Sequence, residues 1–171
     1  MKMDRLTLYL PGPEELAFRQ ALMADPATMS YNALWSPPNG CLDFPRERWA
    51  DWHARWVGQE PERFYAYLRR EGDGAFVGEV DFHHTPEQNW WDMGILILAR
   101  ERGKGYGQQG LALLLDRAFR VNGIPRLHNC FEPVRSAALH IHQAADFREV
   151  STEDGVLHLL LTKEAYEKDA L

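Results

Sequence analysis

Alternation of apolar and polar positions predicts six β-strands along this chain. They cover residues 6–10, 63–69, 75–84, 90–99, 126–131 and 156–162. The segment Glu71-Gly72-Asp73-Gly74, between the second and third strands, has the composition of a hairpin turn. Residues 90–99 are the most continuously apolar, which favours a central strand that is covered on both faces.

Helical periodicity predicts four helices, at residues 14–23, 46–57, 108–121 and 135–145. The third carries Leu111, Leu114 and Leu115 on one side and ends at Asn122-Gly123. The chain order is therefore a strand, two helices, three strands, and then a helix, a strand, a helix and a strand. This order predicts an α+β fold, in which a mixed, mostly antiparallel central sheet is flanked by helices.

Composition narrows the class of protein. A length of 171 residues suits a single domain over residues 1–171. The net charge of −6 argues against a nucleic-acid partner and suits a cationic one. Cys41 and Cys130 stand far apart, outside any metal-type spacing, which fits a reducing compartment. With no signal peptide and no bilayer-spanning apolar run, we expect a cytoplasmic protein without a membrane partner.

A glycine-rich turn joins the predicted strand 90–99 to the helix that follows it. Its sequence is Arg102-Gly103-Lys104-Gly105-Tyr106-Gly107. The free N–H groups at the start of a helix, its dipole and glycines that admit close approach together favour a phosphate ligand. A turn with no ligand is the plain alternative, but three alternating glycines beside two cations exceed what a connection needs.

Two other phosphate-binding motifs are weaker interpretations of this turn. Residues 105–110 match G-x-G-x-x-G, and Glu132 follows at a distance suited to a dinucleotide site. However, residues 99–102 separate the strand from the glycines, and too little chain follows Glu132 for a doubly wound fold. A nucleotide P-loop fails because Gly-Lys-Ser or Gly-Lys-Thr does not occur near the turn.

The turn resembles the central motif of the GNAT superfamily of N-acetyltransferases: Gln or Arg, two residues, Gly, one residue, then Gly or Ala. The segment 144–149 resembles the end of the family's later helix, with Asp146 where glycine is usual. The resemblance is nearest to the ribosomal-protein and spermidine acetyltransferase branch. It implies the GNAT-like acyl-CoA N-acyltransferase fold and acetyl-CoA as cosubstrate. The implied reaction is direct acetyl transfer to a primary amine of a small molecule or a protein N-terminus.

The same resemblance implies a set of cosubstrate-binding residues. The turn would offer N–H groups to the pyrophosphate, and the preceding strand would pair through its main chain with pantetheine. Arg135, where the family often has Asn, would meet a phosphate of CoA. The implied residues are Ile95, Leu96, Ile97, Arg102, Gly103, Lys104, Gly105, Tyr106, Gly107, Gln108 and Arg135.

The sequence leaves more alternatives for the catalytic residues than for the cosubstrate-binding residues. His142 stands where the family often has a Tyr that protonates the thiolate, although a structural histidine is an equal alternative. Glu79 and Asp92 are the candidate bases for the amine, against the alternative of solvated carboxylates. Glu79, Asp81 and His83 share a strand face, but their spacing does not favour a metal site, and no metal is expected.

The acceptor side is predicted from the resemblance alone. Tyr31 and Trp35 belong to the loop that borders the acceptor in the family fold. A small-molecule or peptide amine is the expected partner, and a homodimer is possible. A non-catalytic acyl-CoA-binding module is the main alternative function, because the usual Asn and Tyr are replaced.

Overall fold

A seven-stranded sheet runs through the part of the chain that the computed structural model describes, residues 4–169. The spatial order is β1-β2-β3-β4-β5-β7-β6, and every neighbouring pair is antiparallel except β4 and β5. The strands are β1 Leu6–Tyr9, β2 Arg63–Arg70, β3 Phe76–Thr85, β4 Trp90–Ile97, β5 Arg126–Phe131, β6 Arg148–Glu153 and β7 Val156–Thr162. The fold is the mostly antiparallel α+β sheet that the sequence predicts.

Helices cover both faces of the sheet. They are α1 Ala17–Met23, α2 Pro26–Met29, α3 Trp49–Trp56, α4 Tyr106–Asp116, α5 Ser136–Ala144 and α6 Lys163–Lys168. On one face, α4 buries Leu111, Leu114 and Leu115 among apolar side chains of the sheet. On the other, Trp49 of α3 joins a smaller cluster with Tyr65 of β2. None of the helices in residues 4–169 is long and apolar enough to cross a lipid bilayer.

Most predicted elements are confirmed, and β5 and β7 have their predicted bounds. The predicted hairpin between β2 and β3 is closed by a hydrogen bond from the Gly74 N–H to the Arg70 carbonyl oxygen. Three elements, β6, α2 and α6, were not predicted from the sequence. All six residues of β6 are exposed, so the strand shows no alternation. It is held by its backbone pairing with β7 at the edge of the sheet.

The parallel pair β4–β5 separates soon after it begins. The two strands pair only at Trp91 with Leu127 and at Asp92 with His128. Beyond those pairs β4 keeps its antiparallel partner β3 through Ile97, while its other edge faces an opening. The central strand is consequently only half-buried at Ile95 and Ile97, although the sequence predicts a strand covered on both faces.

Gly78 on β3 sets how closely β3 and β4 approach. A Cβ atom at Gly78 would lie 2.2 Å from the backbone carbonyl oxygen of Leu96, which cannot rotate away. We expect Gly78→Ala to separate the strands and to lower the free energy of unfolding by about 1–3 kcal/mol, the usual range for overpacking. Chemical denaturation measures this change. The control Gly72→Ala, whose Cβ would stand 3.4 Å from its nearest neighbour, should keep wild-type stability; equal losses in both variants would contradict the prediction.

Candidate active site

A cavity of about 1050 Å³ occupies the opening between β4 and β5. Its walls come from both strands, from α1, from the glycine-rich turn and from the start of α5. All but one of the site residues predicted from the sequence line it; the exception is Lys104. Those that line the cavity are Tyr31, Trp35, Glu79, Asp92, Ile95, Leu96, Ile97, Arg102, Gly103, Gly105, Tyr106, Gly107, Gln108, Arg135 and His142.

The glycine-rich turn presents backbone N–H groups to this cavity. Gly103 and Gly105 have φ angles of +77° and +81°, a conformation that glycine adopts without steric cost. No carbonyl within residues 4–169 accepts a hydrogen bond from the N–H groups of Gly103, Lys104 or Gly105. The first N–H groups of α4 also lack intrahelical partners, and the helix dipole adds positive potential there. The turn is therefore built to bind an anion.

The cationic side chains of the turn have other contacts. The Arg102 guanidinium donates to the carbonyls of Thr28 at 2.7 Å and Ile97 at 3.2 Å, which ties the turn to α2 and to the end of β4. The Lys104 ammonium donates to Glu101 at 2.8 Å and is half exposed. Arg102 thus holds the turn in place, while the anion-binding capacity comes from the main chain.

The free edge of β4 supplies the second part of the site. Val80 and Glu79 of β3 pair with Ile95 and Leu96 on one side, whereas β5 has already turned away on the other. Main-chain N–H and C=O groups on that side face the cavity and can pair with an extended ligand as a further strand would. The pantetheine role of Ile95, Leu96 and Ile97 stays a prediction, and an unpaired strand edge is the arrangement that it requires.

Glu79 is fixed by two buried neighbours. The Arg19 guanidinium donates to both of its carboxylate oxygens, at 2.6 and 2.8 Å, and the Tyr65 hydroxyl also donates to it. Arg19 in turn packs over the ring of Trp52. Because the guanidinium and the phenol engage both carboxylate oxygens, Glu79 has to give up one of these contacts before it can take a proton from an amine. The geometry therefore does not favour Glu79 as the base.

Asp81 is the carboxylate that sequence reasoning left outside the candidate bases. It lines the cavity beside Gly94 of β4, and within the described residues no hydrogen bond engages its carboxylate. Burial, followed by the negative charge of Glu79, raises the pKa of Asp81 to about 7. A Cβ atom at position 94 would lie 2.5 Å from Asp81 Oδ2, so glycine there leaves room for the carboxylate where it lies. That small residue facing Asp81 was the available sequence signal.

Asp92 also faces the cavity but has strong partners. Its Oδ1 lies 2.5 Å from His128 Nδ1, and the Thr85 hydroxyl donates to its other oxygen. Burial alone would raise the pKa of Asp92, but the hydrogen bonds from His128 and Thr85 bring it below its usual value. Asp92 is thus held as a carboxylate near neutral pH.

His142 is almost fully buried against the base of the cavity. Its Nδ1 lies 2.7 Å from the Ala138 carbonyl oxygen, so this nitrogen carries the proton and donates. Its Nε2 lies 2.9 Å from the Asn129 amide and accepts from it. Burial lowers the pKa of His142, with the Ala138 bond opposing the shift. The one proton of this neutral imidazole is engaged by the Ala138 carbonyl, so the geometry disfavours the predicted role as proton donor.

Arg135, Tyr31 and Trp35 lie at the mouth of the cavity. The Arg135 guanidinium stacks 3.9 Å from the centroid of the Tyr31 ring, and both residues line the cavity. Trp35 is 52% exposed, which is unusual for so large an apolar side chain. Within residues 4–169 no group of three or more His, Cys, Asp or Glu side chains is placed to hold a metal ion.

Comparison with known proteins agrees with this geometry. The sequence profile of the acetyltransferase (GNAT) domain matches residues 5–148, and the chain therefore belongs to the GNAT acetyltransferase family. It is an N-acetyltransferase that uses acetyl-CoA. Comparison with curated protein sequences gives no match.

Solved structures share the fold at low sequence identity. Spermidine N-acetyltransferase from Vibrio cholerae, in complex with CoA and spermine, has a TM-score of 0.78 and 16% identity over 95% of this chain and 98% of that one. A GNAT-family acetyltransferase from Bacillus anthracis has a TM-score of 0.72 and 15% identity, over 96% and 98%. FdhC, described as a nucleotide-linked sugar GNAT, has a TM-score of 0.73 and 17% identity, over 99% and 93%. At these identities the likeness concerns the fold.

The open space and the open N–H groups of the glycine-rich turn fit acetyl-CoA. Gly103 lines the cavity, and a Cβ atom added to it would have no neighbour within 4 Å. The open N–H groups suit the pyrophosphate, and the free β4 edge suits the pantetheine amides.

Replacing Gly103 should weaken acetyl-CoA binding selectively. In Gly103→Ala the side chain favours relaxation away from the φ of +77°. Binding must then restore the left-handed backbone at about 1–2 kcal/mol, on the order of tenfold in affinity. Isothermal titration with acetyl-CoA measures the loss. Gly58→Ala is a matched control, with a φ of +76° and an equally open surround but no place in the cavity; reduced affinity in both variants alike would contradict the prediction.

Proposed function

We propose that this enzyme transfers an acetyl group from acetyl-CoA directly to a primary amine of a small molecule or a protein N-terminus, with Asp81 as general base. The observation that carries the proposal is a carboxylate on the cavity wall next to Gly94 of β4, with a pKa of about 7. An amine must lose a proton before it can attack a thioester. A base with a pKa near the working pH is suited to that transfer.

The residues divide the task between them. Acetyl-CoA supplies the acetyl group as a reactive thioester. The N–H groups of the turn hold its pyrophosphate, and the main chain of residues 95–97 orients the pantetheine arm. Arg135 contributes a positive charge at the mouth of the cavity, where it meets a phosphate of CoA. Asp81 accepts the proton of the bound ammonium, and the neutral amine then attacks along the line set by β4.

The acceptor is a cation that enters from the side of α1 and the loop around Trp35. Asp81 and Asp92 both face this part of the cavity, and they favour a positively charged amine. The exposed apolar side chains of Trp35 and Leu42 line the same rim and suit methylene groups of the acceptor. The spermidine acetyltransferase from Vibrio cholerae supports the small-molecule branch of this proposal.

The remaining predictions concern the protein as a whole. We propose a single domain over residues 1–171, of which residues 1–3 and 170–171 lie outside the described part. The cytoplasm as the location and the homodimer stay predictions. His142 as proton donor also stays a prediction, with a geometry that disfavours it.

An amine-acetylation assay tests the function. The purified protein is given acetyl-CoA and a panel of polyamines, amino sugars and peptides with free N-termini, and released CoA is measured through its thiol. We expect CoA release with at least one amine, together with an acetylated product in mass spectrometry. Tight acetyl-CoA binding without turnover on any amine would instead support the non-catalytic acyl-CoA-binding module.

Asp81→Asn should abolish most of the activity without loss of cosubstrate binding. Removing a general base typically lowers kcat on the order of 10²-fold or more. In the wild type kcat/KM should rise with pH through about 7, because Asp81 must be ionised, and this rise should vanish in the variant. Initial rates from pH 5.5 to 9 measure it. Asp51→Asn, at an exposed carboxylate of α3, is the control and should keep the wild-type profile.

The same variant has a second readout in stability. The folded-state pKa of Asp81, about 7, lies above that of an unfolded aspartate. The folded form therefore binds more protons, and its stability falls as pH rises between about 4 and 7. Asp81→Asn removes this effect, so its Tm relative to the wild type should be higher at pH 8 than at pH 4.5. An equal difference at both pH values would overturn the assigned pKa.

A further inference from the structure

Asn129 of β5 lies at the vertex of the opening, where β4 and β5 separate. The last residue pair between the two strands is Asp92 with His128, and Asn129 is the next residue of β5 beyond that pair. It lines the cavity, and so do Met93 and Gly94, which follow Asp92 on β4. Asn129 therefore belongs to the cavity wall that faces the strand with the free edge.

Hydrogen bonds fix the orientation of the Asn129 amide. The Ala138 carbonyl oxygen can only accept, so His142 Nδ1, which lies 2.7 Å from it, carries the proton of the neutral ring. His142 Nε2 is then an acceptor, and the group that lies 2.9 Å from it is the NH₂ of Asn129. At its other end, Asn129 Oδ1 accepts from the Cys130 N–H at 2.9 Å. Both contacts require the same orientation, so the oxygen and the nitrogen of the amide are distinguished.

The imidazole of His142 is held in its neutral form. Burial lowers its pKa and the positive charge of Arg135 lowers it further, while the hydrogen bond to Ala138 opposes both. A protonated ring would also turn an N–H of Nε2 towards the NH₂ of Asn129, so that two donors would meet. His142 is therefore a fixed acceptor for the amide of Asn129.

One N–H of the Asn129 amide is left over. The amide NH₂ has two hydrogens, His142 accepts one of them, and within residues 4–169 no acceptor engages the second. Because Asn129 lines the cavity, the cavity is the space in which a ligand atom can accept this hydrogen bond. The carboxylates of Asp81 and Asp92 line the same cavity and only accept when ionised, so a donor complements them.

We propose that this N–H of Asn129 donates a hydrogen bond to the sulfur atom of the cosubstrate, and that His142 is a positioning residue that holds the amide in place. The role rests on the proposed acetyl transfer from acetyl-CoA. The glycine-rich turn takes the pyrophosphate beyond the C-terminal end of β4, and the pantetheine arm runs from there along residues 97 to 95. The sulfur at the end of the arm then comes to the vertex of the opening, where Asn129 lies.

The hydrogen bond is strongest when the thioester breaks. The neutral amine attacks the carbonyl carbon and forms the C–N bond, and the C–S bond then breaks with its electron pair on sulfur. The nitrogen passes its surplus proton to that sulfur, so the products are a neutral amide and the thiol of CoA. Asn129 neither gains nor loses a proton. Its N–H stabilises the negative charge that develops on sulfur, because the donor is already oriented before the reaction.

The acidity of bound CoA tests this contact without any acceptor amine. A hydrogen bond to the thiolate favours the ionised form. In Asn129→Leu the acid dissociation constant of the bound thiol should therefore fall about tenfold or more, as expected for a hydrogen bond to a charged group. Titration of the ultraviolet absorbance of the thiolate measures it, with the complex of CoA lacking sulfur as the blank. An unchanged dissociation constant would overturn the contact.

Asn122→Leu is the matched control for this titration. Asn122 is also a half-buried amide, and it donates to Glu60 at 2.7 Å and to the Arg117 carbonyl oxygen at 3.0 Å, outside the cavity. Its replacement should leave the acidity of bound CoA at the wild-type value. Equal losses in both variants would show that the effect comes from lost stability and would overturn the role of Asn129.

Kinetics distinguish a positioning role of His142 from proton donation. We expect Asn129→Leu to lower kcat about 10- to 100-fold, and His142→Leu to lower it by up to the same factor, with little change in the KM for acetyl-CoA. In the double variant His142 has no amide to hold, so the loss should equal that of Asn129→Leu alone. Losses that multiply in the double variant would mean that His142 acts by itself and would overturn the positioning role.

The double variant also decides the question if a single variant folds poorly. Asn129→Leu alone leaves His142 Nε2 buried without a partner, which lowers stability, whereas two apolar side chains remove the unpaired nitrogen. A protein that acetylates an amine but keeps the acidity of bound CoA in both Asn129 variants would overturn the contact alone. A protein whose bound CoA responds to Asn129, but which acetylates no amine, would overturn the proposed function and support the contact.

Discussion

The short parallel pairing of β4 with β5 is the constraint on which the site depends. Only two residue pairs join the strands, at Trp91 with Leu127 and at Asp92 with His128. Because the pairing stops there, the main chain of residues 95–97 keeps one edge unpaired, and a cavity opens at the centre of the sheet. The same two pairs place Asp92 beside His128 at the vertex of the opening. A longer ladder would bury the edge and close the cavity.

An opening in the middle of a sheet costs backbone hydrogen bonds, and the surrounding structure offsets that cost. β3 pairs with β4 along its whole length, and Gly78 allows a close approach. On one face α4 closes the main apolar core. Arg102 fastens the end of β4 to α2 through main-chain carbonyls. The cavity walls are thus tied together on the side of β3 and the turn, and so they can position a flexible cosubstrate.

The sequence predicts those parts of the fold and site whose signal is local. The glycine-rich turn and the residues 95–97 are recognisable because they depend on backbone conformation and on neighbours in sequence. β6 was missed because six exposed residues carry no hydrophobic pattern. The tethered side chain of Arg102 was also unpredictable, since its acceptors Ala27 and Thr28 lie more than 70 residues away in the chain.

The three carboxylates of the cavity also could not be distinguished from local sequence signals. Glu79, Asp81 and Asp92 all point to one face, as strand alternation predicts. What distinguishes them is their hydrogen-bond partners: Arg19 for Glu79, His128 for Asp92 and, within residues 4–169, none for Asp81. These contacts come from distant elements, so no spacing rule could rank the three. Asp146 has a φ of +67°, in the left-handed region. Glycine adopts this region without steric cost and Asp does so occasionally, which explains why the family favours glycine and why Asp is tolerated here.

Charge divides the cavity into two halves, and this division limits what it can bind. The turn and Arg135 make one half positive, which suits the phosphates of CoA. Asp81 and Asp92 make the other half negative, which suits an ammonium ion. Glu79 adds no net charge there because Arg19 neutralises it. An anionic acceptor would be repelled from the reacting end, whereas a neutral one would gain nothing from the two aspartates. Selection among cationic amines must then come from shape, and the exposed apolar side chains of the rim, Trp35 and Leu42, can provide it, since Glu79 and Asp92 are fixed by their own partners.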